Sequence, residues 1–384
     1  MKKKLLSGVL ALVLALAMLT SCGSSASETT TTQVETTAAE TTQEETTTEE
    51  TTVEETTAEE SAYPITVTDM AGREVTIEAP AERIVELHPT TGYLAWRLGG
   101  KDKMVSIDMV FQMAYCETEA EVKYFSDEDL EFLNSLEVTG TFFKNLNNEQ
   151  IMALEPDIIF TMASDSNADS LSETFGCPVI CFTKDPMTEV PEAFRLAGQV
   201  IGNPDDAESM ATFWEDLLDE ITDESSKLAD DEKLKVFYTG KNGNIEVTPT
   251  KGTVFEECMT NAGGNSVTDS MDTEGNEEAE FDIEQVIAWD PDYIIAASTE
   301  AKEAILADSN WANVRAVQEG NIIVPRAYAG LDGYQSILGC YWLQGELYHA
   351  DDTAWWDKFN EVVFDYYELF YNRTLDSEEL NLEA

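Results

Sequence analysis

Histidine is nearly missing: the chain has only His88 and His349 in 384 residues. That excludes zinc or haem sites built from clustered imidazoles. Basic residues are also scarce, with 22 Lys and Arg against 76 Asp and Glu and a net charge of −54. Three lysines and eleven glutamates fall in residues 1–60, which leaves 19 basic and 65 acidic groups beyond them. A field of that sign repels phosphate backbones and anionic lipid, so no nucleic-acid partner is expected. The plain account of the charge is a solubilising surface. Of the six cysteines, Cys177 and Cys181 flank a short apolar run. Four residues along a strand span roughly 13 Å, too far for a disulfide. With Cys22 set aside as a modification site, five cysteines remain and cannot all pair. They read as buried thiols. Also missing are a nucleophile elbow, a phosphate-binding glycine loop ending in Lys-Ser/Thr, and a histidine pair at metal spacing. Paired carboxylates for glycoside hydrolysis stay open as an alternative, because so acidic a chain offers many pairs.

Only one long apolar run is present, Leu5 to Leu19, preceded by Lys2, Lys3 and Lys4 and followed by Thr20-Ser21-Cys22-Gly23. A basic start, a run too short to span comfortably and small residues at its end predict a secretory signal over residues 1–22. The ending resembles the bacterial lipobox, in which the cysteine, here Cys22, becomes the lipidated first residue. An uncleaved anchor is the alternative, and either one places the protein outside the cytoplasm on a membrane. Residues 23–62 are almost entirely Thr, Glu, Ser, Ala and Gln. They cannot bury enough apolar surface to offset the entropy of ordering, so a disordered tether is expected, with a maximum reach on the order of 130 Å.

What the rest of the chain does have is a repeat. Residues 149–160 (EQIMALEPDIIF) and 284–295 (EQVIAWDPDYII) are identical or conservatively exchanged at nine of twelve positions, 135 residues apart. In each copy a polar residue, Asn147 or Asp282, precedes Gln150 or Gln285 at capping-box spacing. A short helix follows, a proline (Pro156 or Pro291) ends it, and a β-branched run continues as a buried parallel strand. Helix, sharp turn and strand, given twice, predict two α/β lobes.

The first lobe is expected over residues 63–202. It opens with a hairpin (Ile65–Asp69 and Arg73–Ile77), followed by strands at Ile84–Leu87, Met104–Ile107, Asp157–Phe160 and Val179–Phe182. Residues 203–230 read as one long connecting helix. Asn203 caps it, Pro204 takes the first position, Asp205 and Asp206 favour the helix dipole, and Ala207, Met210, Trp214, Leu217 and Ile221 make one apolar stripe. Such a helix makes a stiff strut with limited hinge closure, although packing on one lobe alone is also consistent with the pattern. Residues 231–384 repeat the β/α grammar and end in helices at Tyr334–Tyr348 and Thr353–Phe370. The expected fold is therefore α/β, two Rossmann-like lobes joined by one rigid helix, with a ligand cleft between them.

Several segments together resemble the helical-backbone family of ABC-transporter substrate-binding lipoproteins, the class that captures ferric siderophores, haem, corrinoids and some oxyanions. They are Thr68 to Val75, Glu82 to Val85, Ala153 to Ile159, Gly263-Gly264-Asn265, Ala288 to Asp292, and the pieces Trp311 to Val314, Ala316-Val317 and Gly320 to Pro325. The resemblance covers nearly all of the folded chain, from about Ile65 to Tyr371. It implies a monomeric receptor without catalytic residues or cofactor, a small-molecule metal complex as ligand, and an ABC importer permease with its ATPase as partner. It also implies that Glu149 and Glu284 dock onto arginines of the permease; the plainer account of each is a first-turn acid interacting with the helix dipole.

Ligands of open parallel sheets sit beyond the carboxyl ends of the strands. By that rule the candidate contacts are His88, Thr90, Met109 and Thr161 from the first lobe, and Tyr238, Lys241, Ser298, Arg326 and Tyr328 from the second. The mixture suits a large, partly apolar metal chelate, with a ferric siderophore as the leading cargo and a corrinoid, haem or oxyanion as alternatives. His88 stands where the family often has serine, and no arginine cluster for an anionic siderophore is evident. A non-transporting sensor on the same fold and an extracytoplasmic hydrolase are the other readings.

Overall fold

The structure is a computed structural model that describes residues 63–99, 101–116, 124–271 and 277–380. The signal segment with Cys22 and the tether to residue 62 lie outside the described residues. Residues 60–384 form one compact unit.

The hairpin pairs β1 (Ile65–Thr68) with β2 (Glu74–Ile77), antiparallel. Its turn is held by Asp69, whose carboxylate is buried and accepts from the backbone N–H groups of Ala71, Arg73 and Cys181 and from the Arg73 guanidinium. The first lobe then builds a parallel sheet from β3 (Ile84–Glu86), β4 (Ser106–Asp108), β5 (Glu137–Thr139), β6 (Ile158–Met162) and β7 (Val179–Phe182). β3, β6 and β7 pair in that order, β4 pairs with β5, and a parallel bridge between Ile84 and Met104 joins the two groups. The resulting order is β5-β4-β3-β6-β7, which reverses direction between β3 and β6.

In the second lobe β8 (Lys235–Thr239), β10 (Asn265–Ser266), β12 (Tyr293–Ala296) and β13 (Ile322–Ile323) form a parallel sheet in the order β10-β8-β12-β13, with the reversal between β8 and β12. A small antiparallel ladder of β9 (Val247–Pro249) and β11 (Glu278–Glu280) sits beside it. The central strands are buried on both faces, as their β-branched runs require: all five residues of β6 are buried.

The repeat is reproduced as a junction. Helix Asn148–Ala153 precedes β6 and helix Ile283–Trp289 precedes β12. Before each proline the chain turns through a left-handed residue, Glu155 (φ 48°) and Asp290 (φ 52°). After each proline an aspartate binds the start of the first strand of its lobe's parallel sheet, β3 or β8. Asp157 accepts from Arg83 N at 3.0 Å, and Asp292 accepts from Lys235 N at 2.8 Å. The same two basic residues return to the helix end, Arg83 Nε to the Leu154 carbonyl at 3.0 Å and Lys235 Nζ to the Trp289 carbonyl at 3.1 Å. Helix end, proline and strand start are thus locked identically in both lobes. The caps differ. Gln285 reaches back to Asp282 N at 2.8 Å, whereas the Gln150 side chain donates to Glu137 instead and leaves Asn147 to cap alone.

The connecting helix runs Pro204–Ser225, about 33 Å at 1.5 Å per residue. Its stripe is buried, and Trp214 donates from Nε1 to the Met187 carbonyl at 2.8 Å. It lies against helix Val190–Ile201, where a Cβ on Gly198 would sit 2.3 Å from the Ala207 Cβ, so only glycine permits that approach. Arg195 holds it from the first-lobe side through Glu208 and Glu215. At its other end Tyr341 OH donates to Glu220 (2.8 Å) and Gln344 Nε2 to the Ile221 carbonyl (2.9 Å), both from helix Ser336–Tyr348. Asn203 stands at the cap position, but its amide donates to the Leu98 carbonyl and to Asp206 and does not accept from the first turn. The last helix, Thr353–Tyr371, touches both lobes: Tyr93 OH donates to the Phe370 carbonyl at 2.5 Å, and Tyr366 OH to the Tyr334 carbonyl at 2.7 Å. One continuous apolar core therefore runs through both lobes.

Candidate functional site

Where the two lobes face one another a cavity of about 450 Å³ opens. The first lobe contributes Tyr115 and Tyr124; the second contributes Tyr238, Lys241, Phe255, Arg326 and Asp332. A larger cavity of about 730 Å³ borders the same Pro325–Ala327 segment but draws on the second lobe and the C-terminal Leu380. The smaller one is the candidate site, because only it is walled by both lobes at the carboxyl ends of β8 and β13.

Its polar wall is made of phenols and cations, with Asp332 as its carboxylate. Burial pushes the hydroxyls of Tyr115, Tyr124 and Tyr238 up, so all three stay protonated as donors. Tyr124 OH donates across the gap to the Ala327 carbonyl at 2.6 Å. The Lys241 ammonium lies 4.6 Å from the centre of the Phe255 ring and 3.4 Å from Glu278. Arg326 neighbours Glu346, whose carboxyl is raised by burial and partly restored by the arginine charge. A second contact between the lobes joins Lys184 to Asp332. Burial acts against both charges, yet each holds the other ionised: the ammonium stays above its ordinary value and the carboxylate below. Tyr334 OH reaches the Thr183 carbonyl beside them at 3.5 Å.

The residues expected at the strand ends divide. Tyr238, Lys241 and Arg326 come together around the cavity, while Arg326 and Tyr328 line the larger one. His88 is half-buried under Phe142 and Phe143, with ring centroids 5.9 and 6.3 Å away. Its Nδ1 accepts from Thr90 N at 3.2 Å, which makes it the cap of helix Pro89–Leu94 and explains how an imidazole fills a position suited to serine. Burial first, and the Lys184 charge second, push its pKa down to about 4, so it is neutral at physiological pH. Thr90 is buried. Thr161 is fully buried, with its hydroxyl donating to Asp165 at 2.9 Å. Ser298 caps helix Thr299–Ala307, and Met109 is half-buried near Asn145. Lys184, Asp332, Tyr115 and Tyr124 escaped the sequence reading. The strand-end rule reaches Lys184, two residues beyond β7, but Tyr115 lies in a π-helical turn, Gln112–Cys116, and Tyr124 and Asp332 lie in loops whose placement depends on how the lobes pack.

Beneath His88 lies a buried carboxyl pair. Glu86 accepts from Asp108 N and His88 N, and Asp108 caps the turn after β4 through Val110 N and Phe111 N. Burial raises both, Glu86 further because Asp108 is its neighbour, and Asp108 is pushed up to about 6.

Residues 84–329 match the family described as periplasmic binding protein. The chain belongs to that family. The chain is 21% identical, over 68% of its length and 77% of the relative, to an uncharacterized ABC transporter substrate-binding lipoprotein, YvrC, of Bacillus subtilis. It is also 21% identical, over 68% of each chain, to a cobalamin-binding protein of Halobacterium salinarum. Among solved structures, the molybdate-binding protein MolA of Haemophilus influenzae superposes with a TM-score of 0.68 at 19% identity, covering 81% of this chain and 99% of MolA. This periplasmic binding protein is thus a two-lobed, extracytoplasmic solute-binding component of an ABC importer, working with a permease and an ATPase on a small-molecule ligand.

Proposed function

We propose that the cargo is a metal chelate, foremost a ferric siderophore-type complex, held between the lobes and passed to the permease without chemical change. The observation that carries this reading is the composition of the cavity between the lobes. Lys241 and Arg326 stand among the phenols of Tyr115, Tyr124 and Tyr238, with Lys184 at the lobe contact. Flat aromatic faces and the neutral O–H groups of Tyr115 and Tyr238 suit the organic shell of a chelate, while the Tyr124 hydroxyl is engaged by the Ala327 carbonyl, and the cations suit its negative charge. A metal bound here brings its own chelator, since among the described residues no three His, Cys, Asp or Glu side chains cluster as a metal site, and the one carboxylate of the wall, Asp332, is paired with Lys184. The second reading is a corrinoid, favoured by the aromatic walls together with the likeness to a cobalamin-binding protein. In this reading Cys22 carries the lipid anchor, the receptor is a monomer, and Glu149 and Glu284, one on each lobe and both exposed, meet the permease.

The test is a melting and calorimetry panel on residues 61–384 against ferric siderophores, free iron, haem, cobalamin and molybdate. Binding to the folded state alone adds about 2.7 kcal/mol of stability at a hundredfold excess over Kd. A ferric chelate is expected to raise the melting temperature, and Lys241→Met and Arg326→Met are each expected to weaken its binding by tenfold or more, at about 1.5–3 kcal/mol per charge-assisted hydrogen bond. A shift with cobalamin alone selects the second reading. Silence across the panel refutes both.

A further inference from the structure

Large apolar side chains with substantial exposure are few among the described residues: Met113, Phe143, Met152, Ile287 and Leu306. Two of these five occupy one position of the repeat. Met152 and Ile287 are 135 residues apart, each three places after the first-turn glutamate, Glu149 or Glu284. Residues three apart on a helix are neighbours on its surface, so each helix presents a carboxylate beside an apolar side chain. The position between them points the other way: Ile151 and Val286 are fully buried. Met152 is 51% exposed and Ile287 40%, so a large part of each residue is left open to solvent. Neither Glu149 nor Glu284 is in an ion pair among the described residues.

We propose that Met152 and Ile287 are the apolar halves of a two-point docking surface, on which each lobe offers an exposed acid next to an exposed hydrophobic side chain. The occupant is the importer's permease, presenting two equivalent surfaces, each a cation next to an apolar recess. This rests on the reading that Glu149 and Glu284 face that partner. The physical case is local. A carboxylate meeting a cation on a wet surface gains little, because water and salt screen the pair. An apolar contact one helical turn away excludes water from the pair and lowers the local dielectric, which strengthens the same charges. An acid alone gives steering; an acid beside a hydrophobic side chain also gives a slow dissociation rate.

The test measures the affinity of residues 61–384 for the importer's own permease–ATPase complex in lipid nanodiscs. Met152→Gln and Ile287→Gln are each expected to weaken binding about tenfold, with the double variant near a hundredfold, given the apolar area each contributes. Leu306→Gln, at a more exposed position outside the repeat, is expected to bind as the wild type does. The apolar losses are expected to persist near 1 M salt, where the Debye length of about 3 Å removes most of the charge contribution. Unchanged melting temperatures certify that the variants are folded. Wild-type affinity in both Gln variants, with binding abolished by Glu149→Arg and Glu284→Arg, overturns the apolar proposal and leaves the docking reading intact. A loss at only one of the two sites overturns the two-point symmetry. Wild type that fails to bind the complex at all, or charge-reversed variants that bind normally, removes the docking reading and this proposal with it.

Discussion

Replacing His88 with Asn tests whether the imidazole is truly sealed under the aromatic cover beside the cleft. Asn keeps an acceptor for Thr90 N, so the helix cap survives while the titrating group is removed. In the wild type the pKa of His88 is pushed from its ordinary 6.5 down to about 4. Below pH 6.5 the unfolded chain binds a proton that the folded chain refuses until about pH 4, so acid favours unfolding. The wild type therefore loses stability as pH falls through that window, at about 1.4 kcal/mol per pH unit and about 3 kcal/mol in all. The raised carboxyls of Glu86 and Asp108 act with the opposite sign, because the folded state holds their protons more tightly than the unfolded one. Their contribution is present at low pH and is lost as pH rises. Comparison of wild type with His88→Asn cancels these shared terms. Urea unfolding of residues 61–384, followed by tryptophan fluorescence from about pH 7.5 to about pH 4.5, should show the variant gaining on the wild type by about 2.5 kcal/mol. A difference that stays flat across the range refutes the argument, since it means the imidazole protonates as freely folded as unfolded.

Asp69→Asn puts an amide N–H₂ among donors in the buried hairpin turn, and breaking such a pair is expected to cost about 3–5 kcal/mol, seen as a melting temperature at least about 6 °C lower. Gly345→Ala places a Cβ 2.3 Å from the Trp355 ring and is expected to destabilise by about 1–3 kcal/mol in urea unfolding. In residues 61–384 none of the five cysteines is in a disulfide, and burial pushes Cys177 up to about 11 and Cys181 up to about 12. A thiol reagent should therefore modify the half-buried Cys116 promptly, and the four buried thiols only after denaturant is added.

Period and punctuation carried most of the architecture. The apolar stripe from Ala207 to Ile221 specifies a helix buried along one side, and that side is what the lobes cover. The acid-proline-aspartate triplet carried more than a stop signal. Its last aspartate and a basic residue more than fifty positions away complete the junction, a partnership that no local pattern announces. The site was less legible for a related reason. The strand-end rule locates a region, and side-chain direction within it depends on what else is near. Thr161 lies at the end of β6, yet Asp165 draws its hydroxyl inward. Ser298 lies past β12 but is consumed as a helix cap. Tyr124 and Asp332 reach the cavity from loops and Tyr115 from the π-helical turn Gln112–Cys116, where neither the 3.6-residue nor the two-residue period sets direction.

The repeated junction also relates the cleft to the outer helices. In each lobe a parallel strand is entered from a helix running antiparallel to it, so the helix begins at the carboxyl edge of the sheet and ends at the amino edge. Arg83 and Lys235 tie the helix ends to the starts of β3 and β8. The first turns, with Glu149 and Glu284, consequently lie toward the carboxyl edge of their own sheets, that of β6 in the first lobe and that of β12 in the second. The strut Pro204–Ser225, gripped by Arg195 at one end and by Tyr341 and Gln344 at the other, sets the spacing of the two lobes. A partner that contacts both outer helices at once therefore meets a spacing fixed by the strut, and each contact sits on a helix bound directly to a strand of its lobe's sheet. The proposed ligand cavity and the proposed docking turns therefore share an edge of the molecule, and the helices between them are short and tied to a strand start by Arg83 or Lys235.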